Sequence, residues 1–290
     1  MKYLITGANS QIGFDIAKEL RKKGENKILA LSNNYFDITN KAKVIEIVKN
    51  YKPDVIFHCE ELKNSNKKSE KDLYKINVLG TRNITDASLI VAAKIVYLST
   101  TKVFDGEKNI PYTEYDYVNP KNMYGKTKLL GENEIKRNPN NFIIRTSKLF
   151  GKNEMCFINK LLMMCDKLNT IDVVNDRIIA LTYTVDLANK LIDISRTEKY
   201  GIYNVTNDNE CSYIDIVNFI SSLLKKDIII NELSTKEYLE KRNLNTNYNI
   251  NNVILDTTKL EKQGFSKLPS WQDAIKRFYS EFTNKKSFVK

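Results

Sequence analysis

The chain has 290 residues but only one histidine, one tryptophan, four cysteines, five prolines and ten glycines. A single histidine excludes a multi-histidine metal site, and any Ser-His-Asp or Cys-His arrangement would have to use His58. That residue follows the apolar run Val55-Ile56-Phe57, where it reads as the end of a buried strand rather than as a base. Cys59, Cys156, Cys165 and Cys211 lie far apart without CxxC spacing, which fits a reducing compartment and argues against structural zinc. No apolar run approaches the roughly 18 residues that cross a bilayer. Met1-Lys2-Tyr3-Leu4-Ile5 does not read as the start of a signal peptide. A cytoplasmic protein with no membrane partner is expected. Few prolines, 28% charged and 42% hydrophobic residues exclude a disordered or fibrous chain, and the length allows one or two domains.

The net charge of +11 raises the question of nucleic acid. The lysines are spread along the chain, and only short clusters such as Lys63 to Lys71 and Lys285-Lys286 stand out. No recognition motif or arginine stripe accompanies them, so a solvated surface and no nucleic-acid partner are expected. Chemistry, if present, must come from Tyr, Lys, Ser/Thr, carboxylates or a cofactor.

Short β-branched runs alternate with helical patterns over the first 150 residues. Strands are predicted at Tyr3-Leu4-Ile5, Ile28 to Leu31, Val55 to Phe57, Ile95 to Leu98 and Phe142 to Ile144. Helices are predicted over about Ile12 to Lys22, Lys41 to Asn50, Asp72 to Ala93 and Lys121 to Lys136. This repetition specifies an α/β fold, a Rossmann-type doubly wound parallel sheet. After Gly151 the pattern is less regular: helices at about Cys156 to Leu168, Val185 to Ser195, Ser212 to Leu224 and Trp271 to Phe282, with short strands near Val173 and at Tyr203 to Val205. The expected division is a dinucleotide-binding domain over 1–150, with 171–200 returning to it, and a smaller α/β substrate-binding lobe from 151–170 and 201–290.

Thr6-Gly7-Ala8-Asn9-Ser10-Gln11-Ile12-Gly13 lies between the first strand and first helix. Gly7 permits a tight turn, Gly13 permits close helix–sheet packing, and the helix N-terminus offers free N–H groups to a pyrophosphate. Ser10 stands where glycine is common. No acidic residue ends the second strand, which leans toward NADP rather than NAD. Further along, Tyr124 and Lys128 are four residues apart and share a helix face. A neighbouring ammonium lowers a phenol's pKa and would make Tyr124 a proton donor opposite a nicotinamide hydride. Thr100, at the carboxyl end of the fourth strand, is positioned to polarise the same carbonyl.

These residues resemble the extended short-chain dehydrogenase/reductase superfamily, and within it the dTDP-4-dehydrorhamnose reductase family. Matching stretches include Gly7 to Gly13, Phe36-Asp37-Ile38-Thr39, Tyr74 to Gly80, Leu98-Ser99-Thr100, Val103-Phe104-Asp105-Gly106, Tyr124 to Glu132, Arg145-Thr146-Ser147 and Thr184 to Ala188. The resemblance implies NADPH or NADH as cofactor, a nucleotide-sugar substrate and reduction of a deoxysugar 4-keto group. It assigns catalysis to Thr100, Tyr124 and Lys128. Cofactor contacts fall to Gly7, Asn9, Ser10, Gln11, Ile12, Gly13, Asp37, Ile38, Asn77 and Lys128, and substrate contacts to Thr101, Lys102, Phe104 and Lys148. No metal ligands are assigned, and a homodimer is compatible with the family.

Departures from the family pattern concentrate at the expected site. Glu60-Glu61 replace an Ala-Ala pair, Lys63-Asn64-Ser65-Asn66 is altered and shorter, and Thr101-Lys102 replace Asp-Tyr. Lys148 replaces a substrate-packing Trp, and an Arg-Pro before Val253-Ile254-Leu255 is missing. A carboxylate about 5 Å from a cofactor phosphate would cost roughly 3 kcal/mol at an effective dielectric of 20. Two readings follow: a nucleotide-sugar 4-ketoreductase with a changed pocket, or a non-catalytic regulatory or binding protein on the same fold. In the second, Glu60 or Glu61 would pair with Lys102, Lys128 or Lys148.

Overall fold

The computed structural model describes residues 1–63, 69–243 and 253–286; positions 64–66 of the altered family segment, most of the Lys63–Lys71 cluster, and the positions just before Val253 lie outside them. In chain order the elements that position the site are β1 (Tyr3–Thr6), α1 (Gln11–Lys22), β2 (Ile28–Leu31), α2 (Lys41–Tyr51), β3 (Val55–His58), α3 (Glu70–Tyr74), a π turn (Lys75–Gly80) and α4 (Thr81–Ile90). They continue with β4 (Lys94–Thr100), α5 (Met123–Ile135), β5 (Asn141–Thr146), α6 (Phe157–Lys167), β6 (Thr170–Val174), α7 (Thr184–Ser195), β7 (Gly201–Asn204), α8 (Tyr213–Leu224), β8 (Ile229–Leu233), α9 (Thr235–Lys241) and α10 (Trp271–Lys286). The single helix expected from Asp72 to Ala93 is thus interrupted by a π turn. The family strand at Val253 to Leu255 is reduced to one bridge, between Leu255 and Tyr112.

Six strands form one parallel sheet in the order β7-β5-β4-β3-β1-β2. Strands β1, β3 and β5 are almost wholly buried and carry the apolar runs Tyr3-Leu4-Ile5, Val55-Ile56-Phe57 and Phe142-Ile143-Ile144, as expected where helices cover both faces. One face packs Ile12, Ile16 and Leu20 of α1 against Leu187 and Leu191 of α7. The other packs Val44 and Val48 of α2 with Ile84 of α4 and Ile135 of α5. Helix starts are set locally: Ser10 caps α1, Asn40 caps α2, and Ser212 with Asp215 forms a capping box on α8. Helix α2 ends at Lys52 in the left-handed region just before Pro53.

The order in which strands are laid down reverses between the parallel neighbours β1 and β3, so a crevice opens at their carboxyl ends, where doubly wound sheets bind ligands. A second core joins α6, α8 and α10 through Leu162, Ile216, Ile220, Ile275 and Phe278, with β6 and β8 paired in parallel at its edge. Two segments fall on the other side of the boundary drawn from sequence. β7 pairs with β5 as the sheet's edge strand, so 201–204 belongs to the large sheet. Conversely β6 pairs with β8, which ties 170–174 to the smaller lobe. Both follow from strand pairing over distances that local pattern does not encode. Among the described residues, no helix is long and apolar enough to cross a membrane.

Candidate active site

Gly7 follows β1 with φ +65°, and a Cβ there would stand 2.7 Å from the backbone of Cys59 and Glu60. The turn after β1 therefore lies directly on the loop that follows β3. A Cβ on Gly13 would come 2.3 Å from the Gly7 carbonyl oxygen, which is why α1 can begin so close to the sheet. Ser10 accepts from the Gly13 N–H at 3.2 Å, and Asn9 donates to Asn33 at the end of β2 at 3.0 Å. Gln11 turns its amide to the Glu154 carbonyl at 3.2 Å. These residues line a cavity of about 310 Å³ with Ile12, Glu60 and Glu61. Asp37 lies exposed and accepts from Thr39, which holds its carboxyl below the usual range. Ile38 is 3% exposed and packs in the core against Gly80. Neither lines this cavity, so the sequence-based assignment of the Ile38 side chain as a contact gives way to a packing role.

Helix α5 carries Tyr124 and Lys128 on one face, as their spacing requires. Lys128 is 1% exposed; its ammonium donates to the Leu98 carbonyl at 2.7 Å and lies 4.3 Å from the Tyr97 ring centroid. Between the two side chains sits Glu61. One oxygen, Oε2, accepts from the Tyr124 hydroxyl at 2.8 Å and pairs with Lys128 Nζ at 3.2 Å. Burial opposes the Glu61 charge, but Lys128 and Lys63 overcome it and hold the carboxyl below its ordinary range. Tyr124 moves the other way. Burial first, then the Glu61 charge and hydrogen bond, push its phenol well above 10, against the opposing pull of the Thr100 hydroxyl. The expectation that Lys128 acidifies Tyr124 is therefore corrected: burial, and then the carboxylate set between ammonium and phenol, push the phenol up instead of down.

The loop bearing Glu61 is fixed from below. Asn77, 1% exposed on the π turn, accepts from the Leu62 N–H at 2.8 Å and donates to the Leu62 carbonyl at 3.0 Å. Asn77 is thus a clamp on the Glu60–Leu62 loop, a role the family assignment to cofactor did not include. Glu60, 9% exposed, points into the same region; burial, with Glu61 and Asp37 nearby, pushes it up to about 7. His58 ends β3 fully buried, between Thr6 Oγ1 at 2.7 Å and Thr81 Oγ1 at 3.0 Å. Burial and then the Lys128 charge hold it neutral, near 3, as its apolar setting in the sequence foretold. Below the site, Arg145 on β5 clamps Glu132 on α5 with Nε at 3.0 Å and Nη2 at 2.8 Å, and Ser99 on β4 donates to the same carboxylate at 2.6 Å.

A second cavity, of about 300 Å³, opens on the other side of Glu61. Thr100, Thr101, Lys102, Tyr124, Lys148 and Arg177 line it. Burial, then Lys148 and Arg177, lower the Lys102 pKa, so three cationic side chains converge there. Phe104 does not reach it: the ring is 3% exposed and packs on Tyr112 at 4.4 Å beneath the Arg145 guanidinium. Its assignment as a substrate contact is corrected to a core position. Lys148 and Arg177 also border a third cavity, of about 450 Å³, walled by Phe157, Leu161, Tyr213 and Val217. Arg177 was not singled out in the sequence; its only signal was a basic residue in the loop after β6.

These residues fit a dinucleotide at its phosphate end, where Gly7, Asn9, Ser10 and Gln11 at the N-terminus of α1 line the first cavity. At the other end Tyr124 and Lys128 have the right chemistry, with Glu61 set between them.

Residues 1–284 match the family described as the RmlD substrate binding domain. The chain is 35% identical, over an alignment covering 97% of it and 99% of the relative, to a dTDP-4-dehydrorhamnose reductase from Aggregatibacter actinomycetemcomitans. It is 30% identical to a dTDP-4-keto-6-deoxy-D-glucose reductase from Streptomyces niveus, covering 78% of this chain and 80% of that one. Among solved structures it resembles the dTDP-4-dehydrorhamnose reductase from Bacillus anthracis in complex with NADP, with TM-score 0.89 and 32% identity over 97% of this chain and 100% of that one.

Proposed function

The chain belongs to the RmlD substrate binding domain family, that of the dTDP-4-dehydrorhamnose reductases, and from that premise we propose that it reduces the 4-keto group of a dTDP-linked deoxysugar. The NADP held by the Bacillus anthracis relative, and the lack of an acidic residue at the end of β2, favour NADPH over NADH. The reduced nicotinamide, when bound, supplies the hydride. Gly7, Ser10 and the α1 N-terminus hold its phosphates, and Lys128 its nicotinamide half.

This chain's own residues supply the rest. Thr100 offers a hydroxyl to the carbonyl oxygen. Tyr124 delivers the proton, and the Lys128 ammonium stabilises the phenolate left behind. Lys102, Lys148 and Arg177 meet the substrate's diphosphate, while the third cavity, with Phe157 and Tyr213, is suited to the base. The observation that carries the reading is that Thr100 and Tyr124 line the second cavity together, with Lys128 joined to Tyr124 through Glu61, which lines both cavities. The test is NADPH oxidation with a panel of 4-keto nucleotide sugars, dTDP-4-dehydrorhamnose first, with Tyr124→Phe as control. Turnover by the wild type alone supports the reading, and no turnover with any sugar refutes it.

One observation favours the non-catalytic reading: Glu61 pairs with Lys128 at 3.2 Å. NADPH binding separates the two, because a regulatory protein with a degenerated site would bind no nicotinamide cofactor.

A further inference from the structure

We propose that Glu61 is an internal competitor for the cofactor: in the free protein its carboxylate latches Tyr124 to Lys128, and dinucleotide binding must displace it. The inference rests on the cofactor reading above and adds to it a residue that sets cofactor affinity. Glu61 lines both the cavity at the α1 N-terminus and the cavity at Thr100. It therefore stands at their junction, where a hydride donor and a carbonyl would have to meet.

Three observations make it a latch rather than a surface acid. A single oxygen holds both Tyr124 and Lys128. Its side chain is 13% exposed and its partner's 2%, so water offers little competition for the pair. The backbone of the next residue, Leu62, is pinned by a double hydrogen bond with Asn77, so the loop is held independently of the carboxylate and a side-chain rotation can release it. While latched, Tyr124 is a poor acid, since proton loss would set a phenolate beside a carboxylate. Release hands Lys128 back to Tyr124 and restores the acidity that the reaction needs. Cofactor binding and activation of the proton donor are thereby the same event.

The apparent affinity of such a site is reduced by the fraction of molecules already unlatched. NADPH dissociation constants, measured calorimetrically for the wild type, Glu61→Ala and Glu61→Asp, test this. Aspartate keeps the charge but is one methylene too short to span both partners. Both variants are expected to bind NADPH about tenfold more tightly than the wild type, with thermal melts confirming that each is folded. Tightening by alanine alone would mean general charge repulsion and overturn the latch. Equal affinity in all three would overturn it while leaving the cofactor reading intact. No binding by any of the three would remove the cofactor reading and the latch together.

Discussion

Glu132 on α5 and Arg145 on β5 are both almost completely buried, and their side chains meet in a two-point clamp of 2.8 and 3.0 Å. The clamp ties the helix that carries Tyr124 and Lys128 to the strand leading to Lys148, with Ser99 of β4 joined to the same carboxylate. These three elements are thus held together by charge as well as by apolar packing.

Removing one partner of this clamp leaves the other charge buried and unpaired. Arg145→Ala is expected to lower unfolding stability by about 3 kcal/mol or more, measured by urea denaturation. Glu132→Gln, which keeps shape and some hydrogen bonds, should lose less. Because the clamp lies below the cavities, the residual folded protein should retain its affinity for NADPH.

Glu60 gives the free protein a distinctive pH dependence. Its folded-state value of about 7 lies above the ordinary 4.5, so the folded state holds the proton more tightly than the unfolded chain. The associated stability is fully present below 4.5 and is lost as pH rises through 7, up to about 3 kcal/mol. Glu60→Gln should remove this slope in denaturation curves between pH 5 and 8. The same ionisation places negative charge in the phosphate-end cavity, so wild-type NADPH affinity should fall across that range and the variant's should not.

Gly13→Ala forces a methyl group to 2.3 Å from the Gly7 carbonyl oxygen. The turn must open, and the α1 N-terminus moves off the sheet. NADPH affinity is expected to fall by at least about tenfold, as read calorimetrically, with a smaller loss of thermal stability.

Lys148→Ala and Arg177→Ala act at the waist between the second and third cavities. Each is expected to raise the KM for the nucleotide sugar about tenfold while changing kcat little, because a diphosphate contact is made equally in ground and transition states. Steady-state kinetics at saturating NADPH provide the check.

Much of this was legible in the sequence because the signals are local. Alternation of apolar strands with helical periods specified the parallel sheet, and Gly7 to Gly13 specified the turn. The spacing of Tyr124 and Lys128 put them on one face, and the lone His58 declared its burial through its neighbours. What escaped depends on contacts between distant segments. The Glu60-Glu61 pair announced a charge, but only the Asn77–Leu62 clamp decides where Glu61 reaches. Pairing with Lys128 is one of several alternatives the sequence offers; the shared hydrogen bond to Tyr124, which adds to burial in raising the phenol's pKa, is not among them. Phe104, assigned to substrate by resemblance, packs in the core against Tyr112, a contact between segments that local pattern does not encode. The strands at Gly201–Asn204 and Thr170–Val174 found partners across the domain boundary that their own composition did not name.

The most direct measurement of the central claim, that Tyr124 protonates a sugar 4-keto group as hydride arrives, uses NADPH deuterated at the transferable position of its nicotinamide. After incubation with dTDP-4-dehydrorhamnose or a related 4-keto nucleotide sugar, deuterium is located in the product by NMR. The account predicts deuterium at C4 of the sugar with the wild type, and product formation slowed by at least about a hundredfold with Tyr124→Phe. Deuterium absent from C4 with every sugar tried, or undiminished transfer by Tyr124→Phe, would contradict it.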